Sequence, residues 1–487
     1  IRLAVAMIGV LADNHNFEIV ERTFIEGTED ISRCRKYLAR SVLLLHKTDQ
    51  LLEVWFVKLL LEQLFPILCY TNIHFCGYFL FPRAKIVKLS ETIARFDNFF
   101  YLCSINQRKI SKTMKTIIAI IALALTLSCA NNSGEIKLLD KADFETTVDG
   151  KQVSLYTLHA GDLTMQVTNY GARVVSLWAP GRDGKFADVE IGYENIDRYI
   201  NNTGERFLGA AVGPVANRIA DGRMTLDGVE YRLSRNNNGQ TLHGGLLGVD
   251  RIVWDVKSHS SNKIVFECTL PDGQDGFPGN RHIEMTYSLT PRNEFVVTYE
   301  AQTDTTTVMN LSHHSFFNLS GEGSGTILDH TLTIAASHIT PVDSRLIPTG
   351  EIMPVDGTPF DFRTPHTIGE RIDNAHEQLR MGAGYDHNWI IDRKDDGEVV
   401  KFADLYEPKS GRGIEVWSDQ IAMQFYSGNF FDGSYCGKYE RPIEYRGAVV
   451  FETQRYPDAP NHPNFPSVEL RAGETYRQTC IYKFYVR

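Results

Sequence analysis

Apolar and polar residues alternate over short stretches through most of the chain after Ile136. A two-residue period of this kind is typical of β-strands that bury one face. Turn signals separate the stretches, and Asp-Gly pairs such as Asp149-Gly150 and Asp227-Gly228 favour tight hairpins. Strands at this spacing indicate an all-β fold, an antiparallel sandwich or barrel. The pattern predicts strands at Val153–Leu158, Leu163–Val167, Ile252–Val256, Lys263–Leu270, His282–Leu289 and Glu294–Ala301.

Helical periodicity is scarce in this region, and one short helix is predicted at His366–Gln378. The stretch Asn310–Leu319 resembles a strand but carries two adjacent histidines, His313 and His314. Imidazole has an ordinary pKa of about 6.5, which allows proton transfer near neutrality. Neighbouring residues of a strand point to opposite faces, so one metal ion could hardly bind both side chains. The simplest interpretation places one histidine in the core and the other in solvent.

A different pattern begins at Met114, where a basic residue precedes the apolar run 117–127 and Cys129 follows. This order predicts a secretory signal peptide, because the run is too short to span a bilayer comfortably. Cys129 resembles the lipidated cysteine of bacterial lipoproteins, although Thr126 stands where leucine is expected. We therefore expect residues 114–129 to direct export, either to the periplasm or to a membrane through a lipid anchor at Cys129. Plain secretion and a buried internal helix are the alternatives.

Residues 1–113 differ from the rest of the chain in composition. They contain three of the 38 glycines, and they carry 15 Lys and Arg against 11 Asp and Glu, although the whole chain has a net charge of −10. Because a signal peptide belongs at an amino terminus, we expect translation to start at Met114. Residues 1–113 would then be upstream sequence read through in error, without a function. A membrane helix at 51–70 is the alternative, but three charges interrupt that stretch and are costly in a bilayer.

Charge and cysteine content exclude several functions for the remaining residues. With 50 basic and 60 acidic residues, the chain lacks the basic surface that nucleic-acid binding requires. No Cys/His set has zinc spacing, and the glycine-rich stretch 321–325 lacks the lysine and the following helix of a phosphate loop. Cys268, Cys436 and Cys480 follow Cys129, so at most one disulfide can form among them.

Seven stretches resemble, in the same order, the signature motifs of the aldose 1-epimerases (galactose mutarotases). Any one of them would be a weak signal, whereas seven in order over 212–454 are specific. The resemblance covers residues 136–487 and none of residues 1–113. The seven stretches are Val212–Ala220, Leu242–Gly245, Pro271–Gly279, Asn310–Leu319, Gly384–Asn388, Gln424–Asn429 and Phe451–Gln454.

The resemblance implies a large antiparallel β-sandwich of the galactose mutarotase type over 136–487, and an isomerase that needs no cofactor and no metal. Its partner would be a small-molecule aldose, with glucose and galactose as substrates, and the protein would be a monomer. In this family the histidine before the serine of the strand motif is the catalytic acid and the glutamate of the last motif is the base. His314 and Glu452 match these positions. The residues that match the family's substrate-binding set are Asn217, Arg218, His243, Asp386 and Gln424.

The chemistry of anomer interconversion suits these residue types. A base must take the proton from the C1 hydroxyl, and an acid must protonate the ring oxygen as the C1–O5 bond breaks. The open-chain aldehyde then turns about C1–C2 and recloses from the other face. Each proton transfer is typically worth about 10²–10⁴ in rate.

The sequence leaves other interpretations open. A phosphosugar epimerase on the same fold would need an extra basic cluster. A glycosidase could use Glu452 and Asp386 as its carboxylate pair, and a non-catalytic protein could bind sugar on the same fold. Taken alone, Asn217-Arg218 also fits a surface turn, and Leu242–Gly245 fits a strand end with a glycine bend. Glu452 is harder to explain otherwise, because it follows an apolar run and a buried carboxylate needs a partner or a function.

Overall fold

The computed structural model describes residues 134–201, 204–395 and 397–487. Strands make up most of the regular structure, and the two described α-helices are α1 (Ile196–Ile200) and α2 (Glu377–Gly382). The strands up to Thr303 are β1 (Thr146–Val148), β2 (Lys151–Val153), β3 (Leu155–Ala160), β4 (Leu163–Thr168), β5 (Arg173–Pro180), β6 (Phe186–Asp188), β7 (Ala210–Val212), β8 (Arg218–Ile219), β9 (Arg223–Leu226), β10 (Val229–Arg232), β11 (Thr241–Leu242), β12 (Asp255–His259), β13 (Lys263–Leu270), β14 (Arg281–Leu289) and β15 (Glu294–Thr303).

The second half of the described chain continues the same architecture and supplies the strands that carry the candidate site. These strands are β16 (Thr307–Val308), β17 (Ser312–His314), β18 (Phe316–Phe317), β19 (Thr331–Ile334), β20 (Ala336–Thr340), β21 (Met353–Pro354), β22 (His366–Thr367), β23 (Asp386–Ile391), β24 (Val400–Tyr406), β25 (Arg412–Ser418), β26 (Ala422–Tyr426), β27 (Val449–Gln454), β28 (Glu469–Leu470) and β29 (Tyr476–Val486).

Two large sheets form the body of the fold. One has nine strands in the order β12-β13-β14-β15-β29-β25-β24-β19-β22, and the other has six in the order β18-β27-β26-β23-β20-β21. A four-stranded sheet, β3-β4-β5-β6, and several two-stranded pairs complete the strand pairing of the described residues. Neighbouring strands within both large sheets run antiparallel. The predicted all-β antiparallel sandwich is therefore confirmed.

Aromatic side chains join the nine-stranded sheet to the six-stranded sheet. The hydroxyl of Tyr482 on β29 donates to the backbone oxygen of Phe451 on β27 at 2.8 Å. The Tyr482 ring also lies 5.1 Å from the ring of Phe317 on β18. All three residues are fully buried. Burial of a large apolar side chain stabilises a fold by about 1.5–3 kcal/mol, so this contact layer fixes the six-stranded sheet beneath the candidate site.

The strands predicted from alternation are largely confirmed. Lys263–Leu270 is observed as β13 with the same bounds, and β14 and β15 extend their predicted stretches by one and two residues respectively. Val153–Leu158 is interrupted at Ser154 and contributes to both β2 and β3, while Ile252–Val256 overlaps only the start of β12. Local alternation thus locates these strands well, whereas their ends depend on the partner strands.

The predicted helix at His366–Gln378 is wrong. Its first two residues form β22, which pairs with β19 at the edge of the nine-stranded sheet. A short 3-10 helix follows at Ile368–Glu370. An α-helix begins only at Glu377, where the His376 side chain accepts a hydrogen bond from the backbone N–H of Gln378 and caps the first turn. Pairing with a strand that is distant in sequence outweighs the weak local preference for helix.

Several predictions concern residues outside the described ranges. They are the signal segment 114–129 and the read-through segment 1–113. Among the helices that the structure describes, none combines the length and the apolar character needed to cross a membrane. Cys268 and Cys480 are buried, Cys436 is exposed, and all three are free thiols.

Candidate active site

One face of the six-stranded sheet is polar and carries the candidate active site. Its three central strands place Asn388, Gln424 and Glu452 side by side, one on each of β23, β26 and β27. Asp386, two residues before Asn388, lies on the same face because side chains alternate along a strand. The other face of these strands buries aromatic side chains in the core: Trp389, Phe425 and Phe451.

Glu452 and His314 meet at the centre of this face. His314 Nε2 lies 3.5 Å from Glu452 Oε1, and both side chains are almost wholly buried. The chain changes its strand partner at Ser315, because β17 pairs with β7 whereas β18 pairs with β27. Asn310–Leu319, which resembles a single strand in the sequence, therefore forms two short ones, and the break brings His314 to the strand of Glu452.

His313 occupies the opposite side of β17. Its Nδ1 lies 3.0 Å from the Tyr287 hydroxyl, and its Nε2 lies 2.7 Å from the Ser315 hydroxyl. Burial lowers the pKa of His313 to about 3, so the ring is neutral and structural. The prediction that the two histidines face opposite sides is confirmed. The expectation that one of them lies in solvent is wrong, because both are buried.

His243 and Asn217 form the third side of the site. His243 Nδ1 lies 3.9 Å from Glu452 Oε2, and its ring stands edge-on to the ring of His314 at 5.0 Å. The backbone N–H of Asn217 donates to His243 Nδ1 at 3.0 Å. The φ angles of His243 and Asn217 are positive, 50° and 61° respectively. A Cβ at Gly244 would collide with a neighbouring backbone carbonyl. The glycine bend is therefore required by the site, and Asn217 lies in a buried turn.

Arg218 and Asp386 supply the charged end of the site. Arg218 Nη1 lies 3.9 Å from Asp386 Oδ2, and Gln424 Nε2 donates to Asp386 Oδ1 at 2.7 Å. The backbone N–H of Arg218 donates to Asn217 Oδ1 at 2.8 Å, and its Nε donates to Asn237 Oδ1 at 3.4 Å. These contacts orient one cation and one anion toward the same buried face, where charge-assisted hydrogen bonds are strong.

Burial controls the ionisation of the central pair. It raises the pKa of Glu452 well above the usual range, with the charge of Asp386 adding to the shift and that of Arg218 opposing it. It lowers the pKa of His314 to about 3, and it lowers that of His243, where the charges of His314 and Arg218 contribute further. Near neutral pH a proton shared by the central pair therefore lies on Glu452, with His314 neutral.

His243, His314 and Glu452 could offer a metal ion one ligand atom each, since these atoms lie within 4.8 Å of one another. Two imidazoles and a carboxylate are an acceptable donor set for transition metals. However, His243 Nδ1, the nitrogen nearest to Glu452, already accepts the hydrogen bond from Asn217. Its lone pair is engaged, so the arrangement fits proton transfer better than metal binding.

Three further residues border the site and were not identified from the sequence. Phe207 packs its ring 4.6 Å from that of His243 and 5.8 Å from that of His314. Its sequence context gives no signal of this contact. Asn388 and Thr340 line a small cavity beside Asp386. The two-residue spacing of Asn388 from Asp386 on a strand was a signal that could have revealed it.

The structure brings all the sequence-predicted site residues into one cluster. The contacts above form a continuous chain from the acid–base pair to the charged end, although the predicted residues come from distant parts of the sequence. Their individual roles stay predictions. The residues are Asn217, Arg218, His243, His314, Asp386, Gln424 and Glu452.

Comparisons with known proteins point in the same direction as the geometry. Residues 154–483 match the family model described as aldose 1-epimerase. The galactose mutarotase of Rattus norvegicus is 41% identical over 337 residues, which cover 69% of this chain and 95% of that protein. The aldose 1-epimerase of Escherichia coli (strain K12) is 34% identical over 340 residues, or 69% of this chain and 96% of that protein.

A solved structure extends the similarity to the fold. The crystal structure of an aldose epimerase homologue from C. elegans superposes with a TM-score of 0.64 at 30% sequence identity. The superposition covers 69% of this chain and 99% of the other. The chain therefore belongs to the aldose 1-epimerase family, and by that membership it is an isomerase that interconverts the anomers of aldoses.

Proposed function

We propose that the protein acts on free aldohexoses such as glucose and galactose, and that Glu452 and His314 perform the proton transfers. The observation that carries this proposal is the buried contact of 3.5 Å between His314 Nε2 and Glu452 Oε1. A carboxyl and an imidazole at this distance can serve the two oxygens attached to C1 of one sugar. Positioned acid–base pairs of this kind account for large rate enhancements.

In the ring-opening step, Glu452 takes the proton of the C1 hydroxyl while His314 delivers a proton to the ring oxygen, and the C1–O5 bond breaks. The resulting aldehyde turns about C1–C2. In the closing step His314 removes the proton from the C5 hydroxyl and Glu452 returns a proton to the C1 oxygen. The two residues end in their starting states, so the cycle balances without any further reactant.

The protonation preferences of the pair bear on this cycle. After ring opening, Glu452 holds a proton and His314 is neutral, which is the distribution that burial favours. The ring-closed complex needs the opposite distribution. The positive charge of Arg218 opposes the effect of burial on Glu452. We infer that the closed complex reacts from the minority form in which Glu452 is ionised and His314 is protonated, and that ring opening returns the pair to the distribution that burial favours.

Arg218→Ala or Asp386→Ala is expected to lower kcat/KM while the fold survives. Loss of a charged hydrogen bond to the sugar costs about 1.5–3 kcal/mol, or roughly a tenfold to hundredfold effect. Initial-rate polarimetry on both variants measures this change. Arg232→Ala is the matched control, because Arg232 is an exposed arginine paired with Glu230. Unchanged kinetics in both site variants would remove these two residues from substrate binding.

The contacts of the charged residues favour this function over its rivals. Arg206 and Arg218, whose charges both act on His243, are paired with Asp250 and Asp386 respectively, so their positive charges are balanced without a phosphate. Asp386 is held by Gln424 and Arg218, which suits a hydrogen-bond acceptor rather than a second catalytic carboxylate. Simple sugar binding would not require a buried acid–base pair.

We also propose that residues 114–129 direct export and that Cys129 carries a lipid anchor. The support is the short apolar run followed by a cysteine. A fatty-acid probe given to bacterial cells that express the protein should label the wild type and should not label Cys129→Ala. Cys436→Ala, which removes an exposed cysteine, serves as the control and should keep the label. Labelling of Cys129→Ala at the wild-type level contradicts the proposal.

A further inference from the structure

A small cavity lies beside Asp386, on the same face of the six-stranded sheet as the acid–base pair. It encloses about 10 Å³, and Thr340, Asn388 and Gln424 line it together with Asp386. A space of this size holds roughly one oxygen-sized group, since a single water needs about 10–15 Å³ by this measure. The cavity is therefore suited to one hydroxyl group and too small for a second sugar unit.

The cavity is lined by polar atoms that have no partner within the described protein. They are Oγ1 of Thr340, both Oδ1 and Nδ2 of Asn388, and Oε1 of Gln424. The exposed fractions of these side chains are only 0%, 1% and 3% respectively. Buried polar atoms without hydrogen bonds are destabilising and uncommon in native proteins. Three such side chains around one small space indicate a place built for a group that both donates and accepts hydrogen bonds.

The strand register fixes where this cavity lies relative to the reacting carbon. Thr340, Asn388, Gln424 and Glu452 are direct neighbours on the successive strands β20, β23, β26 and β27. Adjacent strands are about 4.8 Å apart, so Asn388 lies about 10 Å from Glu452 across the sheet. A sugar whose C1 faces Glu452 would therefore extend its opposite end toward Asn388 and Thr340.

We propose that Thr340, Asn388 and the Oε1 atom of Gln424 form a subsite for one hydroxyl at the end of the aldose remote from C1. Asn388 Nδ2 donates to the sugar oxygen, and the sugar hydroxyl donates to Asn388 Oδ1 or to Gln424 Oε1. The hydroxyl of Thr340 completes the subsite, because it can either donate a hydrogen bond to the sugar or accept one from it. The subsite makes Asn388 and Thr340 determinants of aldose preference, and this inference rests on the proposed epimerase activity.

The test compares kcat/KM for glucose with that for its 2-, 3-, 4- and 6-deoxy analogues, followed by polarimetry. In the wild type, kcat/KM for one of the 3-, 4- or 6-deoxy sugars should be about tenfold to a hundredfold lower than for glucose. The hydroxyl missing from that analogue leaves buried polar atoms unpaired. In Asn388→Leu, kcat/KM for glucose should fall toward the value for that analogue, so the discrimination between the two sugars disappears. Discrimination at C2, which is next to the reacting carbon, should be unchanged.

Thr340→Val repeats the test with a smaller change if Asn388→Leu fails to fold, and it should reduce the same discrimination. Thr307→Val is the matched control, because Thr307 is also buried with an unpartnered hydroxyl but does not line the cavity. If both site variants discriminate among the analogues as the wild type does, the cavity holds only water and the subsite is wrong. A wild type without activity on any of these sugars, or on galactose, would instead overturn the proposed function and the subsite with it.

Discussion

Glu452→Gln is expected to lower kcat by about 10²–10⁴, the usual worth of a general acid–base group. Glutamine keeps the size and the hydrogen-bonding capacity of the side chain, but it cannot accept the proton of the C1 hydroxyl. KM should change much less, because the lost interaction belongs mainly to the transition state. Polarimetric initial rates over a range of galactose concentrations separate the two parameters.

Glu300→Gln provides the matched control for this variant. Glu300 lies on the nine-stranded sheet, is 59% exposed and pairs with Arg477, so kcat should stay at the wild-type value. The role of Glu452 is wrong if its glutamine variant keeps more than about a tenth of the wild-type kcat, well above the range expected for a lost base.

His314→Asn is expected to lower kcat by a similar factor, about 10²–10⁴, because asparagine can hydrogen-bond the ring oxygen but cannot donate a proton to it at neutral pH. The control is His282→Asn, which changes an exposed histidine bonded to Thr269 on the nine-stranded sheet. Near-normal turnover by His314→Asn would exclude this histidine as the acid.

The pH profile of kcat/KM adds a second test of the same pair, since it reports the free enzyme. If both side chains were exposed, their pKa values would be about 4.3 for glutamate and 6.5 for histidine. Activity would then fall as the pH rises above neutrality. Burial reverses this order, because the pKa of His314 is lowered to about 3 and that of Glu452 is raised. The acid limb therefore belongs to His314 and the alkaline limb to Glu452. An acid limb at or above about pH 4.3, where an exposed glutamate ionises, contradicts this order.

Local sequence pattern was sufficient for much of the fold. Every second side chain of Lys263–Leu270 is buried, from Ile264 onward, and turns lie on both sides, so both of its ends could be predicted. The region His366–Gln378 shows where this reasoning fails. Its structure depends on pairing with β19 and on a cap from His376, and neither contact is visible in a short sequence window.

The site was predictable where motif residues occupy regular strands, and less so elsewhere. Glu452 follows an apolar run, and this pattern distinguishes it in the sequence alone. Phe207 contacts two of the site histidines from a distant loop, so only the fold reveals it. The positive φ of His243 and Asn217 likewise reflects a close approach of two segments rather than a preference of either residue.

Polarimetry on freshly dissolved α-glucose and α-galactose tests the central claim most directly. The purified protein should accelerate the approach to the equilibrium rotation without changing the final value, because it forms and breaks the same C1–O5 bond in both directions. The double variant Glu452→Gln/His314→Asn serves as the protein blank. Its rate should be little below that of the slower single variant, since the two groups act as a unit. Equal rates for the wild type and the double variant on both sugars would contradict the assignment of these two residues as the acid–base pair.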